Sequence, residues 1–111
     1  MRGTKALSAG VLLLVIAPAA PALAHAPLMS CFQNEDRTVT CEAGYSDGAS
    51  AAGQVVQLAD VDGRLLVEAV FGDDGTYTFT PPEGLALYTI EFIGDAAHNV
   101  LLFSDEIVPF A

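Results

Sequence analysis

The fold is decided by the stretch Gly53–Phe79, which reads GQVVQLADVDGRLLVEAVFGDDGTYTF. Its β-rich runs are residues 53–60, 64–71 and 76–79, separated by the short segments 61–63 and 72–75. Both separating segments end in Asp-Gly, which is a strong hairpin signal because a tight turn needs a positive φ that glycine adopts easily. The stretch therefore predicts strand, turn, strand, turn, strand: an antiparallel meander in the middle of a sandwich.

The rest of the chain continues the pattern of short strands and turns. Tyr88, Ile90 and Phe92 alternate with other residues along one run and are predicted to face the core. Pro81-Pro82 ends the preceding predicted strand, residues 76–79, because proline cannot donate to a sheet ladder. The predicted strands are residues 28–33, 38–43, 53–60, 64–71, 76–79, 85–93 and 98–103. We therefore predict one all-β domain, an antiparallel β-sandwich of about seven short strands.

Residues 1–24 have the features of a secretory signal peptide. These features are a positive start at Arg2 and Lys5, a short apolar core at 11–17 and an A-x-A cleavage site at 22–24. The apolar core is too short to span a bilayer as a permanent helix. We expect cleavage after Ala24, which leaves a mature domain of residues 25–111 beginning at His25. The expected location is periplasmic or secreted, with no membrane anchor in the mature chain.

The predicted mature chain is strongly acidic. It keeps two arginines, Arg37 and Arg64, against fourteen aspartates and glutamates, which gives a formal charge of −12. Nucleic acids and anionic lipids need a basic surface, so neither is an expected partner. An acidic surface favours solubility and weakly attracts cations.

Two cysteines, Cys31 and Cys41, remain in the mature chain. In an oxidising compartment two cysteines usually pair. Folding the predicted hairpin about position 36 sets residue 31 opposite residue 41, at a separation that suits a disulfide. The alternatives are a pair of thiolate metal ligands or a redox pair, but the spacing is not C-x-x-C. We predict a structural disulfide.

Several of these segments together resemble one known family. They are Tyr45–Gly53, Asp62–Glu68, Asp73–Phe79, Pro81-Pro82 and His98. The pattern resembles the small periplasmic sandwich domain of accessory proteins of bacterial nickel and cobalt uptake transporters, within the wider transthyretin-like or carboxypeptidase-regulatory-like group. It covers roughly residues 41–103 and is more specific for fold than for function. The resemblance implies nickel or cobalt as the ion and a metal-transporter component as the partner.

The two histidines of the chain, His25 and His98, are the candidate metal ligands. A histidine at a free amino terminus offers its α-amine and imidazole Nδ1, which can close a chelate on one ion. A second histidine would complete a three-nitrogen site suited to copper and acceptable to nickel or zinc. The alternative is that His25 is simply the residue left by cleavage and that His98 lies on the surface or packs at a strand start.

Other candidate ligands have stronger structural explanations. Met29 could be a soft copper ligand near His25, but its place at the entry to the first strand favours packing. A set of aspartates could form an oxygen cage for calcium, although no twelve-residue loop ending in glutamate is present. The set comprises Asp60, Asp62, Asp73, Asp74 and Asp95. Turn formation explains them better.

The sequence contains no G-x-S-x-G, no H-E-x-x-H and no glycine-rich phosphate loop, so we predict no enzymatic activity. Two functions remain. The first is a secreted or periplasmic sandwich that binds or helps deliver a transition-metal ion, with nickel or cobalt expected from the resemblance and copper from the ligand chemistry. The second is an extracytoplasmic interaction or structural module that uses no metal.

Overall fold

The computed structural model describes residues 25–94 and 99–111. The signal-peptide prediction and His98 lie outside the described residues. The strands are β1 Pro27–Gln33, β2 Val39–Tyr45, β3 Val55–Asp60, β4 Leu65–Val70, β5 Thr76–Phe79, β6 Tyr88–Ile93 and β7 Asn99–Phe103. They form two antiparallel sheets, ordered β1-β2-β5 and β4-β3-β6-β7. The predicted all-β sandwich of seven short strands is confirmed.

The β1–β2 hairpin has the predicted register. Cys31 lies opposite Cys41, and their sulfurs form a disulfide with a Cα–Cα distance of 4.0 Å. Both cysteines are buried in the core. The connecting turn is closed by Asp36, whose Oδ1 accepts hydrogen bonds from the amide and the hydroxyl of Thr38. The disulfide therefore fixes which residues of β1 and β2 face each other along the whole hairpin.

The predicted three-strand meander is wrong in its second half. β3 and β4 pair as a hairpin, but β5 pairs with β2 in the other sheet. Phe71 is buried and its backbone still pairs with Gly53 and Gln54 before β3. The carbonyl of Gly75, by contrast, accepts a hydrogen bond of 2.9 Å from the amide of Ala43 in β2. The second Asp-Gly turn is thus a crossover between sheets, because the chain before it stays bonded to the segment that enters β3 and the chain after it bonds to β2.

The core lies between the sheets and includes the predicted inward face of β6. Tyr88, Ile90 and Phe92 are all buried, which confirms that face. The strand itself begins at Tyr88, where pairing with Asp60 of β3 starts. The predicted start at residue 85 is therefore three residues early. The segment between Gly84 and Tyr88 is exposed to solvent and is not part of the strand.

The last eight residues pack back onto the sandwich. Ser104–Glu106 forms one turn of 3-10 helix, and the carboxylate of Glu106 accepts a hydrogen bond from the amide of Phe103. Val108 then makes a parallel bridge with Phe32. The carboxyl-terminal segment therefore pairs with the edge of β1 that β2 leaves free.

Reduction of the disulfide should lower the free energy of unfolding by about 2–3 kcal/mol, because the bond closes a short loop in the unfolded chain. The two cysteines are separated by 10 residues. Urea unfolding with and without reductant measures the difference, and Cys31→Ala combined with Cys41→Ala provides an independent check. Identical unfolding midpoints in both conditions would contradict a stabilising disulfide.

Gly75→Ala should cost more stability than Gly63→Ala. Both glycines have positive φ, 78° and 89°, so alanine is strained at either position by about 1–2 kcal/mol. At Gly75 alone, the new Cβ would also lie 3.0 Å from the Ala43 carbonyl oxygen, whereas nothing lies within 4 Å at Gly63. The extra loss at Gly75 should be about 1 kcal/mol or more, measured by urea unfolding. Equal losses would show that the crossover tolerates the methyl group.

Candidate metal-binding site at His25

The segment that precedes β1 is held against the loop that follows β2. The amide of Ala26 donates to Ser46 Oγ at 2.9 Å, and the amide of Ser46 donates to the Ala26 carbonyl at 2.7 Å. This pair of hydrogen bonds prolongs the hairpin beyond the last strand pair, Pro27 and Tyr45. His25 therefore occupies a defined place at one end of the sandwich.

The imidazole of His25 is stacked on Tyr45. The ring centroids are 4.2 Å apart and the planes differ by 9°. Tyr45 in turn meets Phe92 edge-on at 5.6 Å, and Phe92 is fully buried. The exposed imidazole is thus supported by an aromatic contact that continues into the core.

Asp47 is the polar partner of the imidazole. Its Oδ2 lies 2.9 Å from His25 Nδ1, and its Oδ1 accepts a hydrogen bond of 3.0 Å from the amide of Ala49. An ionised carboxylate only accepts hydrogen bonds, so the bonded Nδ1 carries the proton. The hydrogen bond from His25, followed by the one from Ala49, lowers the pKa of Asp47 from its ordinary value of 3.8. One carboxylate therefore caps its own loop and orients the ring.

Both side chains remain open to solvent. The exposed fraction is 51% for His25 and 38% for Asp47. If the chain is cleaved after Ala24, the α-amine of His25 joins Nδ1 as a second nitrogen donor on the same residue. The arrangement can then offer two nitrogens and a neighbouring carboxylate to an ion that arrives from solution.

The other predicted ligands do not join this site within the described residues. Met29 packs against the core, in agreement with its structural interpretation. Cys31 and Cys41 are consumed by the disulfide, which removes the thiolate-ligand alternative. Because His98 lies outside the described residues, its pairing with His25 stays a prediction.

The candidate calcium aspartates act as turn formers where the structure describes them. Asp60 Oδ1 accepts the amides of Asp62 and Arg64, and Asp74 Oδ1 accepts the amide and hydroxyl of Thr76. In residues 25–94 and 99–111, no three side chains of His, Cys, Asp or Glu gather as a metal-binding group. The turn role that the sequence predicts for these aspartates accounts for their positions.

Sequence reasoning missed Asp47 and Tyr45 as neighbours of His25, although a signal for both was present. In the hairpin register that sets residue 31 opposite residue 41, the numbers of opposed residues have a constant sum. Extended beyond the strands, the same register sets residue 25 opposite residue 47. The local context of Asp47, Ser46-Asp47-Gly48, is that of an ordinary turn and gives no such signal by itself.

Comparison of the chain with protein-family models, with curated proteins and with solved structures finds no match in any of the three. The resemblance to nickel and cobalt transport accessory domains therefore stays a prediction from the quoted segments. The Cys31–Cys41 disulfide is compatible with an extracytoplasmic protein. Within the part of the chain that the structure describes, no helix is long and apolar enough to cross a membrane.

The pKa of Asp47 should rise toward its ordinary value when the His25 imidazole is removed, because the hydrogen bond that favours the carboxylate form is lost. A carbon-detected NMR titration of native protein and His25→Ala measures this. Since the folded-state pKa is lowered below 3.8, the stabilisation is present above that pH and disappears as the pH falls through the folded value. An unchanged Asp47 pKa in His25→Ala would show that the two side chains do not interact in solution.

Proposed function

We propose that this protein is an extracytoplasmic β-sandwich that binds a transition-metal ion at the amino terminus of its mature chain. The observation that carries the proposal is the placement of His25, whose ring is stacked on Tyr45 and whose Nδ1 is 2.9 Å from a carboxylate oxygen of Asp47. After cleavage behind Ala24, the α-amine and Nδ1 would close a chelate on one ion. The protein would be a metal carrier without catalytic activity.

Ligand chemistry and resemblance favour different ions. Nitrogen donors bind copper more tightly than nickel, cobalt or zinc, so copper is the ion expected from His25. The resemblance to transport accessory domains implies nickel or cobalt, with His98 as the further ligand and a metal-transporter component as the partner. The acidic character of the chain, with fourteen acidic residues, supports either choice because it attracts cations.

A second candidate function is an interaction module without metal, whose partner is another extracytoplasmic protein. It is supported by the edge strand β4, which pairs with β3 alone among the described strands. Val67 and Val70 of this strand have 40% and 54% of their surface exposed. Apolar side chains on an open sheet edge are suited to contact with another chain. In this case the contacts of His25 serve only to fix the start of β1.

Calorimetric titration of the mature protein with Cu(II), Ni(II), Co(II) and Zn(II) tests the metal proposal. Intact mass must first show a chain that starts at His25 and carries the disulfide. We expect one tight equivalent of at least one ion and its loss in His25→Ala. Affinity should weaken as the pH falls, because nitrogen donors bind metal only when deprotonated.

Chemical blocking of the α-amine gives a matched control. The predicted mature chain contains no lysine, so its α-amine is the single primary amine. Acetylation of this amine therefore leaves every side chain chemically unchanged. The acetylated protein should lose the tight equivalent although His25 is intact. Native binding no tighter than about 100 μM, roughly −5.5 kcal/mol, would exclude the metal function and leave the interaction module.

A further inference from the structure

We propose that Asp47 is a direct metal ligand, so that the site consists of the α-amine of His25, its Nδ1 and Asp47 Oδ2. This inference rests on the proposed function and names the donor set of the same site. The third ligand is then Asp47, in the loop after β2, where the sequence predicts His98. The ligand it specifies is a divalent transition-metal ion, with Cu(II) bound most tightly.

The distance between the two side-chain donors fits a shared ion. Two donors that each lie about 2.0–2.1 Å from one metal at a right angle are about 2.8–3.0 Å apart. Asp47 Oδ2 and His25 Nδ1 are 2.9 Å apart. Because an ion on Nδ1 would take the place of the hydrogen-bonding proton, Oδ2 must move aside by roughly 2 Å to become the adjacent ligand, and the 38% exposure of the Asp47 side chain leaves space for this movement.

Each donor is held in place before an ion arrives. The Ala49 amide binds Asp47 Oδ1 at 3.0 Å and keeps Oδ2 available. The stacking contact with Tyr45 fixes the ring plane of His25, and the hydrogen bonds between Ala26 and Ser46 fix the backbone beside the α-amine. Preorganised donors lose less conformational freedom on binding, which raises affinity.

The exchange of protons for metal balances without any further reactant. The α-ammonium group gives up one proton to solvent, and Nδ1 gives up the proton that it donates to Asp47: an imidazolium releases that proton to solvent and keeps the one on Nε2, whereas a neutral imidazole transfers it to Nε2. In both cases the bound imidazole is neutral and carries its proton on Nε2. The bound donors are two neutral nitrogens and one carboxylate, which leave a divalent ion with a single positive charge. Tetragonal sites of nitrogen and oxygen donors favour Cu(II) and Ni(II), and Cu(II) binds more tightly of the two.

The decisive comparison is Asp47→Asn against Asp36→Asn. Asp36 caps the turn at the opposite end of the same hairpin by accepting the amide and hydroxyl of Thr38, and its pKa is also lowered by those bonds. Each substitution removes one negative charge from an aspartate that caps a turn. The difference between them is that Asp47 contacts His25, whereas Asp36 lies at the other end of the hairpin. We expect Asp47→Asn to weaken Cu(II) binding by about tenfold to a hundredfold and Asp36→Asn to leave it within about twofold.

Two spectroscopic measurements locate the ion. With Zn(II) as a diamagnetic probe, nitrogen NMR should show metal on His25 Nδ1 and the proton on Nε2, together with a shift of the Asp47 carboxyl carbon. Cu(II) should quench tyrosine fluorescence, and Tyr45→Phe should remove most of the quenching. The chain has no tryptophan and three tyrosines, and Tyr45 lies 4.2 Å from the imidazole.

The outcomes separate this inference from the proposed function. If Asp47→Asn binds Cu(II) as tightly as the native protein while His25→Ala loses binding, the ligand role of Asp47 is overturned and the metal function stands. Loss of binding in His98→Ala alone would assign the third ligand to that histidine instead. Absence of binding to the native protein would overturn both proposals. Retained folding of each variant is checked by its urea unfolding midpoint.

Discussion

The register of the β1–β2 hairpin is the constraint on which the rest of the structure depends. The disulfide fixes Cys31 opposite Cys41, and a shift of one residue would turn every inward side chain of the hairpin toward solvent. The same register ends with Pro27 opposite Tyr45 and continues in the hydrogen bonds between Ala26 and Ser46. One covalent bond in the core therefore determines which loop residue meets His25 at the end of the sandwich.

Aromatic contacts also hold His25 in place at the end of the sandwich. His25, Tyr45, Phe92 and Phe71 form successive ring contacts at 4.2, 5.6 and 5.2 Å. Phe92 and Phe71 are buried between the sheets, so the chain of contacts joins the first described residue to the centre of the core. Because each pair adds a directional preference to its apolar burial, the orientation of the imidazole depends on the packing of both sheets.

Much of the fold could be predicted from local sequence. The strands, the cysteine pairing and the inward face of β6 all follow from alternation and turn residues within one or two neighbouring segments. The partner of β5 could not, since an Asp-Gly turn, although a hairpin signal, does not specify which strand the following segment pairs with. The hydrogen bond between Gly75 and Ala43 and the register of β5 on β2 set that partner, and both depend on a strand about thirty residues earlier in the chain.

The candidate site was predictable only in part for the same reason. His25 could be proposed from its position behind a cleavage motif, because an amino-terminal histidine carries two donors whatever the fold. Asp47 owes its place to a pairing 22 residues away, and its sequence context, Ser46-Asp47-Gly48, is that of an ordinary turn. Only the hairpin register distinguishes it from the other turn aspartates of this acidic chain.

The exposure of the site bears on what kind of metal protein this geometry could serve. Structural metal sites are closed by four protein ligands, whereas the donors at His25 lie on a terminus and a loop, with 51% of the histidine side chain exposed. An ion held there would keep coordination positions open to solvent or to a ligand from another protein. Ligand exchange could then begin without unfolding of the sandwich, because no strand has to move for an incoming donor to reach the ion. Such openness suits transfer between proteins better than long-term storage.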